Sequence, residues 1–113
     1  MNTNIDFNRG VLYIRLFGSF IKKEVHNFES LVIPIILGLN QKYVTVNLAN
    51  VDMFDKRGVN SLIKISDVVN RFNGKVVLCE LNYHIKDYLK NSDVFDYCFK
   101  SKNEKTSLGV FKI

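Results

Sequence analysis

The sequence predicts an α/β domain: a mixed four- to five-stranded β-sheet packed against about four helices. Three observations carry this. Short runs rich in β-branched and aromatic residues recur along the chain, headed by Val11–Phe17, Tyr43–Leu48 and Lys75–Leu81. Between them lie windows with apolar residues at helical spacing. Glycines or polar clusters mark the joins.

Residues 4–8 read as a short edge strand, followed by Gly10 and the stronger strand Val11–Phe17, which Gly18 ends. Lys22–Leu39 reads as a helix, because Val25, Phe28, Val32, Ile35 and Leu39 recur at spacings of three and four. Pro34 conflicts with it, since a proline there removes the bond to the Ser30 carbonyl and clashes with the preceding turn. The helix therefore kinks at Pro34, or ends near Ser30 and resumes. Tyr43–Leu48 is the next strand, followed by the polar turn Ala49-Asn50-Val51-Asp52. Lys56–Phe72 is a helix with Asp55 as its N-cap, and Gly74 closes the unit. Lys75–Leu81 is a strand apolar enough to be buried on both faces. Tyr83 to Leu89 or Asn91 reads as a short helix, Phe95–Phe99 as a last strand and Glu104–Phe111 as a last helix. Strands separated by helices imply parallel pairs with right-handed crossovers.

The chain has 113 residues, the size of one domain spanning residues 1–113. Its net charge of +5 comes from scattered cations, with no arginine-rich tract and no RNA-reading aromatic signature. A solvated surface accounts for that charge better than nucleic-acid binding does. Residues 1–6 lack the basic start and apolar core of a signal peptide. The apolar stretch Leu31–Leu39 is too short to span a bilayer. The two cysteines, Cys79 and Cys98, have no metal-binding spacing, and Cys79 reads as a small buried hydrophobe. A reducing, cytoplasmic setting without direct membrane insertion is the expectation.

No nucleophile elbow, phosphate-binding loop, dinucleotide fingerprint or metalloprotease motif is present. His26 and His84 lie on different helices, neither with a ligand at metal spacing. The acidic pairs Asp52/Asp55 and Asp93/Asp96 flank turns, where bonds to the backbone explain them. The expectation is therefore a non-enzyme with no catalytic residues, no metal and no cofactor.

On the Asp55 helix the apolar arc is broad. Val68, Phe72, Ile65, Val69, Leu62, Val59 and Ile63 span more than half the wheel, with Lys56, Asp67, Asn60, Arg71, Lys64 and Arg57 on the rest. Either the neighbouring helix covers Val68, Phe72 and Ile65, or they border a partner surface beside the basic row.

The order and spacing of these segments resemble the STAS domain family, specifically its anti-sigma factor antagonists, over residues from about 10 to the C-terminus. Val11–Gly18 is similar to the family's opening strand, Tyr43–Val51 to its next strand and turn, and Asn73–Cys79 to its glycine-plus-strand segment. Ile85–Phe95 is similar to its closing helix and strand. Asp55-Lys56-Arg57-Gly58 falls where the family has Asp-Ser-Ser/Thr-Gly. The resemblance implies a protein-binding module. In the antagonists, the unphosphorylated domain binds an anti-sigma factor that is also a kinase, and phosphorylation of the serine opening this helix abolishes binding. Here Lys56 stands at the acceptor position, so the phosphoserine switch is expected to be absent. The acidic residue often found after the first strand's glycine is replaced by Ile21. The partner-binding residues implied are Asp55, Lys56, Arg57, Gly58, Asn60, Ser61, Lys64, Ile65 and Val68. The partner is a kinase-like anti-sigma factor, or alternatively a subunit of a transporter complex, since STAS modules also serve membrane assemblies. The apolar excess of Leu31–Leu39 would suit permanent docking or a homodimer.

Overall fold

The computed structural model describes residues 2–113. Five strands form one sheet in the order β1 (Asn2–Asn8), β2 (Val11–Phe20), β3 (Tyr43–Phe54), β4 (Lys75–Cys79) and β5 (Phe99–Ser101). β1 and β2 are antiparallel, and the remaining pairs are parallel. The β1–β2 hairpin closes through Arg9 and Gly10 with φ of 53° and 83°. Two positive φ values in a two-residue loop match the twist of the flanking strands.

The predicted mixed sheet with four helices is therefore observed. One large cluster joins Leu12, Ile14, Leu16, Val44, Val46, Leu48, Val76 and Leu78 of the sheet to α1 (Lys22–Leu39) and α2 (Lys56–Asn70). A second, smaller cluster joins Val11 and Val77 to Phe111 of α4 (Glu104–Phe111). β4 is thus buried on both faces, as its continuous apolar run requires, whereas β2 and β3 alternate and turn Tyr13, Arg15, Thr45 and Asn47 toward α4. The short α3 (Lys86–Lys90) and a 3₁₀ turn at Val94–Asp96 close one end.

Several boundaries differ from the sequence reading. α1 is unbroken through Pro34. Pro34 and Ser30 are both exposed, so water can serve the carbonyl that the proline leaves unbonded. The buried stripe of α1 is Val25, Phe28, Val32 and Ile36, not Ile35 and Leu39. A 3.6-residue repeat drifts away from a strict 3–4–3–4 pattern, which favours Ile36 over Ile35. Leu39 lies in the last turn, next to the left-handed Asn40, and stays 50% exposed.

The expected turn after Leu48 is strand. β2 runs on to Phe20 and β3 to Phe54, paired across two register shifts, with Gly18 at φ 106° in the irregular stretch. α2 ends at Asn70, and the left-handed Asn73 (φ 60°) turns the chain toward β4. β4 stops at Cys79, where Glu80 turns left-handed (φ 57°). Tyr83–Ile85 stays outside α3, because the His84 N–H donates to Asn82 Oδ1 at 2.8 Å and holds a turn. The expected strand Phe95–Phe99 is instead the 3₁₀ turn followed by β5. The N–H groups of Tyr97 and Cys98 both reach back to the Val94 carbonyl, at 3.1 and 2.9 Å, and coil that segment.

Candidate functional site

The start of α2 is set by one carboxylate. Asp55 is extended (φ −118°, ψ −178°), and its Oδ1 accepts the Gly58 N–H at 3.0 Å. This is the N-cap bond to the third helical residue. Its Oδ2 accepts the Lys22 N–H at 2.9 Å, at the first residue of α1. α1 needs that bond, because its own N-cap is Ile21, which has no side-chain acceptor. Asp55 therefore caps two helices and fixes their first turns side by side. Burial works against its charge, but the N–H groups of Gly58, Lys22 and Arg57 and the Arg57 charge outweigh it. They hold the carboxyl below the ordinary value of 3.8.

Gly58 is buried because backbone passes close to it. A Cβ there would lie 2.5 Å from the Phe20 carbonyl oxygen and 2.9 Å from the rings of Phe20 and Phe54. The Phe20 ring packs edge to face with Phe54 and with Phe28, with centroids 5.4 and 4.9 Å apart. The glycine in the first turn thus lets α2 settle onto the ends of β2 and β3.

The nine residues expected at a partner surface divide into two groups. Lys56, Arg57, Asn60 and Lys64 are exposed and Asp55 is half-buried. Gly58, Ser61, Ile65 and Val68 are buried within the monomer. Ile65 and Val68 belong to the large core cluster with α1, so they are core residues and not surface contacts. The broad apolar arc of α2 is taken up by a helix that packs on the sheet with α1 on one side and the 3₁₀ turn on another. Phe72 is partly buried against the same cluster.

The exposed part of α2 faces Lys22 and Lys23 of α1, which the sequence reading left among the scattered charges. Lys22, Lys23 and His26 line one side of a trough of about 410 Å³, and Arg57, Asn60, Ser61 and Lys64 line the other. Lys64 meets Glu29 of α1 at 3.1 Å. The adjacent Lys22-Lys23 pair after an uncapped Ile21 is the signal in the sequence that could have located this side. Asp52, the acid of β3 near Asp55, accepts the Ser19 hydroxyl at 2.7 Å.

On the opposite face of the sheet, Glu104 takes Arg15 in a fork (Nε to Oε2 2.7 Å, Nη2 to Oε1 2.8 Å) and accepts Asn47 Nδ2 at 2.8 Å. The Arg15 bonds hold the Glu104 carboxyl below its ordinary value; burial opposes them, and the Asn47 bond and Arg15 charge assist. Asn103 and Thr106 cap the same helix reciprocally. This is a structural seal for α4. Cys79 and Cys98 are buried free thiols, each pushed up to about 12, chiefly by burial. His84 packs against Tyr83 with centroids 5.8 Å apart. Among the described residues, no group of three His, Cys, Asp or Glu side chains could hold a metal, and no helix is long and apolar enough to cross a membrane.

The profile of the STAS domain family matches residues 2–107, and the chain belongs to that family. Solved structures agree on the fold. The anti-sigma factor antagonist SpoIIAA in its unphosphorylated form superposes with a TM-score of 0.75 at 13% identity, covering 98% of both chains. A serine-to-glutamate variant of Moorella thermoacetica RsbS gives 0.80 at 16% identity, over 99% of this chain and 96% of that one. The murine anion transporter Slc26a9 gives 0.76 at 14% identity over 91% of this chain, which corresponds to 18% of the transporter. No curated protein matches the chain in sequence.

Proposed function

We propose that this chain is a non-catalytic module that binds a protein partner through the leading edge of α2, at Asp55, Lys56, Arg57, Asn60 and Lys64. The observation that carries the reading is the double cap. A single carboxylate locks the first turns of α1 and α2 together and leaves Lys56 and Arg57 exposed at a rigid, cationic edge. A preset edge loses little conformational entropy on docking. The cations sit at the positive end of the helix dipole, a local cost of about 0.3–1 kcal/mol that an anionic partner group would offset.

The partner is a kinase-like anti-sigma factor in a bacterial cytoplasm. Membership of the STAS family and the likeness to SpoIIAA and RsbS support that choice. The module works without a serine phosphoswitch, because Lys56 opens the helix at the position where the resemblance to the antagonists implies a serine. Incubation with the captured partner and ATP should leave the intact mass unchanged. Stoichiometric phosphate on residues 55–61 would refute the missing switch.

A second reading is a STAS component of a membrane transporter. Likeness to the Slc26a9 domain favours it, as do Leu31, Leu37 and Leu39, which are 46, 43 and 50% exposed along one helix. Identification of the native partner by cross-linking and mass spectrometry decides between the two.

A further inference from the structure

Among the described residues, Ser61 Oγ is the buried side-chain polar atom that lacks any hydrogen bond. The residue is 2% exposed and lines the trough between α1 and α2. A buried hydroxyl without a partner is costly, and a ligand that supplies an acceptor would relieve the cost. The walls beside it carry Lys22, Lys23 and Arg57. Lys22 and Lys23 form no ion pair among the described residues. Asp55, the carboxylate that lies beyond the trough beside Lys22, Lys23 and Arg57, already has both oxygens on backbone N–H groups. The lower end shows what the trough accepts, because the chain's own Glu29 reaches Lys64 there.

The dimensions distinguish one anion from several. Arg57 and Lys64 lie seven positions apart on α2, or about 10 Å of helix axis. An extended chain covers that distance in about three residues. Glu29 already occupies Lys64 at the lower end, so Lys22, Lys23 and Arg57 remain for a ligand, and three cations call for more than one carboxylate.

We propose that this trough receives an extended acidic segment of the protein partner, its carboxylates against Lys22, Lys23 and Arg57 and an acceptor group over the Ser61 hydroxyl. The proposal rests on the reading that the leading edge of α2 is the docking surface, and it adds the chemistry of what docks.

The test titrates the full ¹⁵N-labelled chain with a short peptide of alternating glutamate and glycine, with orthophosphate and with a single-stranded DNA oligonucleotide. The expected result is peptide-induced shifts confined to amides 22–26 and 57–64. The Lys23→Glu, Arg57→Glu double variant should bind the peptide about tenfold more weakly. Ser61→Ala, which removes a hydroxyl that bonds nothing in the free protein, should also weaken it while the fold is kept by circular dichroism. Shifts centred elsewhere, no binding, an equal affinity for orthophosphate, tighter binding of the oligonucleotide or unchanged affinity in the variants would overturn the proposal. The native partner separates this inference from the reading beneath it. Loss of partner affinity in both Lys23→Glu and Lys56→Glu supports the trough. Loss in Lys56→Glu alone overturns the trough and leaves the docking surface standing.

Discussion

The Asp55 carboxylate accepts the backbone N–H of Lys22 at 2.9 Å, across 33 positions of sequence. The first turns of α1 and α2 are therefore one unit, held from the second helix. Ile21 leaves α1 without a cap of its own, and the cross-helix bond replaces it.

Asp55→Ala should destabilise the protein by about 1–2 kcal/mol at neutral pH, through loss of both caps. Asp55→Asn keeps one acceptor oxygen and should fall between. Because the folded carboxyl titrates below its ordinary 3.8, its contribution is present above that value and lost as pH falls through the folded value. Urea unfolding at neutral and strongly acidic pH checks this: the gap between wild type and Asp55→Ala should shrink in acid.

Two glycines should respond with opposite signs. Gly58→Ala places a methyl against the Phe20 carbonyl and the rings of Phe20 and Phe54, and should cost about 1–3 kcal/mol. Gly38, exposed inside α1 where an added methyl would meet nothing within 4 Å, should gain about 0.5–1 kcal/mol as alanine. Thermal unfolding of the two variants reads the contrast directly.

Removing the charge of Glu104 should loosen α4 without unfolding the sheet. Glu104→Gln weakens the Arg15 fork at a half-exposed site, so the loss should be about 1 kcal/mol. Hydrogen exchange should quicken in residues 104–111 before it does so in β2 to β4.

Both thiols should resist alkylation in the native protein and react on unfolding, since Cys79 and Cys98 are 0 and 4% exposed. Their folded pKa values of about 12 lie above the ordinary 9.0. The neutral thiols thus stabilise the fold fully below 9.0, and that contribution is lost as pH rises toward about 12. Thiol-reagent kinetics, with and without denaturant, tests the first part. Alkaline unfolding of a Cys98→Ala variant tests the second.

The fold was legible because period and turn chemistry agree along most of the chain. Lys75–Leu81 reads as a doubly covered strand, and its first five residues, Lys75–Cys79, form one. Asp55 reads as a cap and is one, but its second bond joins residues 33 apart, which no local pattern encodes. The ends of β2 and β3 were missed because Gly18 and Asn50–Asp52 carry turn signals that cross-strand pairing overrides. At the site, the exposed row Lys56, Arg57, Asn60 and Lys64 followed from helical spacing. Ile65 and Val68 were misassigned, because a wheel shows which residues share a face and not what packs against it. The contribution of Lys22, Lys23 and His26 depends on how α1 lies beside α2, a tertiary fact.

The most direct measurement compares the native partner's affinity for wild type and for Lys56→Glu, Arg57→Glu, once matched circular dichroism and melting curves show the same fold. If the leading edge of α2 is the docking surface, the double variant should bind about tenfold more weakly or worse, with the loss reduced at high salt. Equal affinity in a folded variant would contradict the account.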